Sequence, residues 1–307
     1  MTDQTLTIIA EASKQRLDKF VLEHVEGLSR TQVQTLIRGG LITVDGKIEK
    51  TGFKFKGGET VHITIPAEEE TTLEPEDIAL NIVYEDDDLA VINKAAGMVV
   101  HPGIGHETGT LVNAILGRYP ELADMIDDPD TEDRLGIVHR LDKGTSGLIV
   151  VARNKPTLLH LMNQFQERTV DKVYIALLES APKSAVGRVE APIARDPRLR
   201  KRMWVNRDGK PAITEFTVID DTFQDGRTLV TLKLLTGRTH QIRVHMAFIG
   251  CPVVGDTIYG RRKQRLKLKR QFLHATELAF DHPTTGERMD FSAPLPQNLQ
   301  NILDKLR

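Results

Sequence analysis

Asp142 sits where a carboxylate can be put to work. The segment Gly136-Ile137-Val138-His139-Arg140-Leu141-Asp142-Lys143-Gly144-Thr145-Ser146-Gly147 is a charged, glycine-rich turn, and it runs directly into the apolar stretch Leu148–Val151. A turn set against a buried strand holds its side chains at a fixed edge of the core, so Asp142 is expected to be anchored and partly desolvated. An aspartate in a turn can equally act as a local cap, accepting bonds from nearby backbone amides. A second dense segment, Leu235-Thr236-Gly237-Arg238-Thr239-His240-Gln241-Ile242-Arg243, reads as a strand end followed by a helix start capped by Thr239, with Arg243 near the first turn. A guanidinium there can pair with a carboxylate from elsewhere, and Asp142 is the chemically attractive partner. Spacing alone leaves a solvated Arg243 equally open.

Several familiar chemistries fail on pattern. His139-Arg140-Leu141-Asp142 has one residue too many for the kinase H-R-D, Gly103, Gly105 and Gly109 are misspaced for a G-x-G-x-x-G loop, and no P-loop string is present. Asp142-Lys143-Gly144-Thr145 loosely resembles an aspartyl-phosphate site, which keeps a soluble phosphatase as an alternative. His240 and His245, five apart, do not share one helix face, and His101, His139 and His274 complete no ligand pattern, so no metal is expected. Cys251, the one cysteine, rules out a disulfide framework and makes the cytoplasm the expected compartment. The longest apolar run, Val173–Leu178, is six residues, so no membrane span is expected, and the N-terminus lacks the parts of a secretory signal.

The elements that must hold these residues fall into two groups. In 307 residues, 41 basic and 43 acidic side chains nearly cancel, but they are segregated. Glu68–Asp88 contains ten acids and no Lys or Arg, and Glu121–Asp133 seven acids and none, whereas Arg261–Arg270 packs seven basic residues into ten and Arg195–Lys210 seven against two acids. Such segregation can give a near-neutral protein a phosphate-binding face; two solvated loops are the plain alternative. The acidic residues 67–80 read as a linker between residues 14–66 and 81–307. Upstream, Leu17, Phe20, Val21 and His24 share a helix face, Ser29 and Gln32 form a capping box, and Val33, Leu36 and Ile37 mark a second helix ending at Gly39-Gly40. Short strands follow at Leu41–Val44 and Thr60–Ile65, with a turn at Asp45-Gly46. Arg30 and Arg38, bracketing the second helix, are candidate phosphate contacts. Downstream, strands are expected at Ile82–Tyr84, Leu89–Asn93, Leu148–Ala152, Val173–Leu178, Thr214–Ile219 and Thr228–Leu235, and helices around Leu111–Leu116, Leu158–Gln166 and Gln241–Ile249. Regular βαβ alternation is missing, which favours a mixed α+β domain over a doubly wound one.

RLDKFV, SRTQVQTLIRGGLITVDGKI and GGETVHI together resemble the S4 domain, a small RNA-binding module. HRLDKGTSGLIVVAR, KVYIALL and LLTGRTHQIRVHMAFIGCPVVGDTIYG, in that order and after YEDDDLAVINKAAGMVVHPG, resemble the successive motifs of the RluA/RluD family of pseudouridine synthases. The resemblance implies a mainly antiparallel catalytic domain that isomerises uridine in RNA without a cofactor. By this likeness Asp142 is the catalytic aspartate, Tyr174 its neighbouring tyrosine, Arg243 the partner of the aspartate and Arg140 the side chain that replaces the flipped base. Large-subunit ribosomal RNA or a pre-ribosomal particle is the implied partner. The basic run Arg261–Arg270 departs from the family pattern and reads as a phosphate-contacting insertion, with Arg261, Arg262 and Lys263 as RNA contacts. The alternative from another class is a non-catalytic ribosome-binding or assembly protein.

Overall fold

The computed structural model describes residues 4–11, 14–25, 28, 30–65, 73–103, 105–125, 134–199, 201–261, 266 and 268–307. The chain divides into two compact units between Thr72 and Leu73. Set beside the expected segments 14–66, 67–80 and 81–307, the first unit also includes a strand ahead of residue 14. In the second, residues 74 and 76 are tied down: Asn113 Nδ2 donates to the Glu74 carbonyl and the Glu76 amide donates to the Asn113 carbonyl.

The first unit runs β1 (Gln4–Ala10), α1 (Leu17–His24), α2 (Arg30–Arg38), β2 (Ile42–Val44) and β3 (Glu59–Ile65). β3 is the middle strand, antiparallel to both neighbours, and Ile63 faces Leu6 on one side and Ile42 on the other. Leu17, Phe20 and Val21 of α1 and Val33 and Ile37 of α2 pack with Ile42, Val61 and Ile63 in a closed core. α2 stops where expected. The Leu41 amide reaches back to the Leu36 carbonyl at 3.0 Å while Gly40 takes φ +77°, a left-handed cap that costs glycine little. Ser29, the expected cap at its other end, lies outside the described residues.

The second unit is built on one sheet. Its elements are β4 (Ile82–Glu85), β5 (Leu89–Lys94), α3 (Leu111–Arg118), β6 (Ser146–Ala152), α4 (Lys155–Glu167), β7 (Asp171–Leu178), β8 (Val186–Glu190), β9 (Ile193–Arg195), β10 (Met203–Val205), β11 (Ile213–Asp220), β12 (Thr228–Leu234), α5 (Gln241–Phe248), β13 (Leu273–Asp281), β14 (Arg288–Ser292) and α6 (Gln297–Leu306). The sheet order is β4-β5-β6-β13-β7-β12-β11-β8, with β14 paired to β13 and β9 with β10 in a separate ribbon. Among the described strands only β6 and β13 are parallel neighbours, which gives the mainly antiparallel α+β architecture expected. β6 is buried along its whole length, as its unbroken apolar run requires of a strand covered on both faces.

β13 joins the two strands that flank the Asp142 turn. Its Ala275 faces Gly147 of β6 on one side and Tyr174 of β7 on the other, so the turn preceding β6 opens beside Tyr174. The approach is close: Gly147 has φ +118°, and a Cβ there would be driven into the Ala275 backbone.

Candidate active site

The turn carrying Asp142 is pinned from two directions. Its own Thr145 amide donates to the Asp142 carbonyl at 2.9 Å, and the Gly97 amide donates to the Lys143 carbonyl at 2.7 Å. From the stretch ahead of β13, Arg270 Nη1 donates to the Gly144 carbonyl at 3.1 Å and Gln271 Nε2 to Thr145 Oγ1 at 3.0 Å. Gly144 is packed so tightly on the Gln271 amide that a side chain would displace it. The backbone is fixed while the Asp142 side chain keeps 17% of its surface open.

α5 brings the counter-charge. The expected Thr239 cap is not what starts this helix: His240, at φ +58°, occupies the cap position without a side-chain bond to the backbone. Gln241 replaces it by folding back. Its Oε1 accepts from the Arg238 amide at 2.9 Å and from Thr236 Oγ1 at 2.7 Å, and its Nε2 donates to the Ile213 carbonyl and Thr214 Oγ1. A buried amide with its donors and acceptor met locks the register of the first turn.

Two residues on, Arg243 is 6% exposed and holds two carboxylates. Nη1 donates to Asp142 Oδ2 at 2.9 Å; Nε and Nη2 donate to Asp256 Oδ2 and Oδ1 at 2.6 and 3.0 Å. Asp256 is fully buried and also accepts from the Ile258 and Tyr259 amides at 2.9 and 3.0 Å. Burial alone would lower the Arg243 pKa, but the bonds and charge of Asp256, then of Asp142, raise it above the usual arginine value. Asp256 in turn stays well ionised because Arg243 and two amides outweigh its desolvation. Behind them the Arg243 guanidinium lies 5.1 Å from the Tyr259 ring. The Tyr259 hydroxyl accepts from the Met203 amide at 2.8 Å and meets His240 Nδ1 at 2.8 Å.

Tyr174 closes the other side. It is buried on β7, and burial followed by the charge of Asp142 raises its pKa, so the phenol keeps its proton. Lys94, at the end of β5, buries its ammonium and donates to the Ala95 and Met98 carbonyls at 2.8 and 2.9 Å. Burial brings it down to about 8, with Asp142 pulling the other way.

Asp142, Tyr174, Arg243 and Arg140 all line one cavity of about 690 Å³, within the usual range for a bound small molecule or nucleotide. Among the described residues on its wall, Arg134, Arg140, Arg168, Lys172, Arg238 and Arg243 are cationic and Asp142 is the one carboxylate. Arg140 is exposed and makes no ion pair among the described residues. Arg261 is exposed and is not on that wall, and Arg262 and Lys263 lie outside the described residues. In the first unit Arg38 is exposed, while Arg30, though largely exposed, leans on buried Asp18 at 3.4 Å beside the tighter Arg16 pair at 2.9 Å.

A carboxylate gripped by a buried arginine in a cation-walled cavity suits an anionic substrate. Comparison with known proteins makes the class specific. The RNA pseudouridylate synthase family matches residues 88–248 and the S4 domain residues 15–61. An uncharacterized RNA pseudouridine synthase of Bacillus subtilis (strain 168) is 43% identical over all of this chain and 99% of its own length. The ribosomal large subunit pseudouridine synthase D of Escherichia coli (strain K12) is 41% identical, covering 99% of this chain and 94% of that one. The structure of human RNA pseudouridylate synthase domain containing 1 superposes with a TM-score of 0.57 at 29% identity, over 76% of this chain and 96% of that one. This chain belongs to the RNA pseudouridylate synthase family and is an RNA pseudouridine synthase.

Proposed function

We propose that the protein acts on large-subunit ribosomal RNA, free or in a pre-ribosomal particle, in the cytoplasm. The target follows from relatives named for the ribosomal large subunit at 41% identity over nearly the whole chain. Residues 14–66 serve as the RNA-binding module, residues 67–80 as the connection and residues 81–307 as the catalytic domain. Arg30 and Arg38 contact phosphates from the first, and Arg261, Arg262 and Lys263 from the basic run of the last.

In the reaction the N1–C1′ bond of uridine breaks, the uracil turns, C5 bonds to C1′ and loses its proton, and the freed N1 takes one up. Asp142 is the reacting carboxylate: whether it attacks C1′, adds to the uracil ring or removes a ribose proton, it must be ionised. Arg243 holds that carboxylate at 2.9 Å and fixes where it points, and this contact is the observation that carries the assignment. Tyr174, protonated and beside the carboxylate, stacks on the uracil, and its hydroxyl oxygen relays the proton that leaves C5 by passing its own on. Arg140, free at the cavity rim, fills the gap left by the flipped base and offsets a few kcal/mol of unstacking.

A ribosomal RNA transcript carrying 5-tritiated uridine tests this. Wild-type protein should release tritium, and Asp142→Asn should release none while binding the same RNA within a few-fold of wild type. Turnover by Asp142→Asn would refute the role of Asp142, and tritium release confined to transfer RNA would refute the target.

A further inference from the structure

Lys172 is a mostly buried cation that no described carboxylate touches. Only 7% of the residue is exposed, it lines the cavity wall, and among the described residues it makes no hydrogen bond or ion pair. Its ammonium lies 5.1 Å from the Phe165 ring centroid, a cation–π contact worth far less than the hydration it gives up. The adjacent Asp171 points to the other face of β7 and is taken by Lys233 at 2.7 Å and Arg288 at 2.5 Å. His139, stacked on Phe165 at 4.7 Å, is held neutral by burial and accepts the Val150 amide, so it offers Lys172 no charge.

Strand geometry says what the ammonium faces. Lys172 and Tyr174 alternate onto the same side of β7, about 7 Å apart along the strand. A pyrimidine on Tyr174 would therefore place the sugar–phosphate of its own or the adjoining nucleotide near Lys172. Arg168, where the chain leaves α4, and Arg134 reach the same wall, and neither makes an ion pair among the described residues. The C-terminus of α4 adds roughly half a negative charge there, too little to offset three cations.

We infer that Lys172, with Arg168 and Arg134, forms a phosphate subsite that grips the RNA backbone at the reacting nucleotide. The inference deepens the proposed function and rests on RNA being the substrate.

The test is the salt dependence of binding to a large-subunit ribosomal RNA stem-loop, with turnover measured in parallel. Lys172→Gln should weaken binding about ten-fold near 0.1 M salt and reduce the slope of log K against log salt by roughly 0.7–0.9, the share of one phosphate contact. KM should rise accordingly with kcat within about three-fold, and Lys172→Arg should restore most of the affinity. Arg168→Gln, an exposed site that folding tolerates, should reduce the slope in the same way even if Lys172→Gln fails to fold. Unchanged slopes in folded variants, or a fall in kcat with no change in binding, overturns the subsite. If wild-type protein releases no tritium yet the slopes fall as stated, the subsite stands and the isomerase reading fails.

Discussion

Replacing Asp256 by Asn tests how the site keeps its arginine aimed. The substitution is nearly isosteric, so its effect comes from the atoms. Asp256 Oδ1 accepts from Arg243 Nη2 and from the Ile258 and Tyr259 amides, so the amide oxygen of Asn must take that place. Its NH2 then faces Arg243 Nε at the 2.6 Å now spanned by the strongest bond of the pair, donor against donor. Arg243 also loses half of its negative neighbours while fully desolvated. Breaking a buried pair of this kind costs ~3–5 kcal/mol, and at ~2–4 °C per kcal/mol for a unit this size the melting temperature should fall by about 10 °C. Swinging the guanidinium from Asp142 should also lower kcat by about two orders of magnitude, because misplacement of about 1 Å already costs that much. Differential scanning calorimetry gives the first number and tritium release the second. A variant that melts and turns over like wild type would show that Asp256 does not position Arg243.

Lys94 and Gly147 give two further expectations. Lys94, brought down to about 8 by burial, is charged in both folded and unfolded chains below that pH; between about 8 and 10.5 only the unfolded chain keeps its proton, so stability should rise with pH in that window. Relative to Lys94→Met, wild type should gain on the order of 3 kcal/mol across it by urea denaturation, and parallel pH curves would refute the assignment. Gly147→Ala should destabilise by ~3 kcal/mol or more and reduce turnover, since both φ and the Ala275 backbone oppose a Cβ; Gly226→Ala, at φ +77° with open space around it, should cost only about 1 kcal/mol by the same measurement.

The chemistry is more legible in the sequence than the frame that aims it. Asp142 and Arg243 stand out because each lies in a motif where polar residues interrupt an apolar pattern, but their pairing across a hundred residues is a tertiary fact no spacing encodes. Asp256 lies in plain view inside GCPVVGDTIYG without a role, because what distinguishes it is the convergence of Arg243 and two amides. Lys172 looks like any lysine opening a strand; only burial shows it to be unusual. β13, whose LHATELAFD mixes His, Thr and Glu into the run, escapes the pattern although it is central, because its polar side chains are met by partners such as Ser146 and the Ala293 carbonyl. The strand at Gln4–Ala10 goes unmarked for want of flanking turn signals. Thr239 is a reasonable cap by residue type, and the longer reach of Gln241 displaces it.

The late place of β13 in the chain bears on synthesis. It is the wedge between β6 and β7, yet it is made after everything else in the sheet except β14. As the polypeptide emerges from its ribosome, the strands of the half bearing Asp142 and those of the half bearing Tyr174 have no ladder between them until residues 273–281 are available. A product cut short before that point would leave β6 and β7 with raw edges, so the sheet that frames the site cannot close until residues 273–281 have been made.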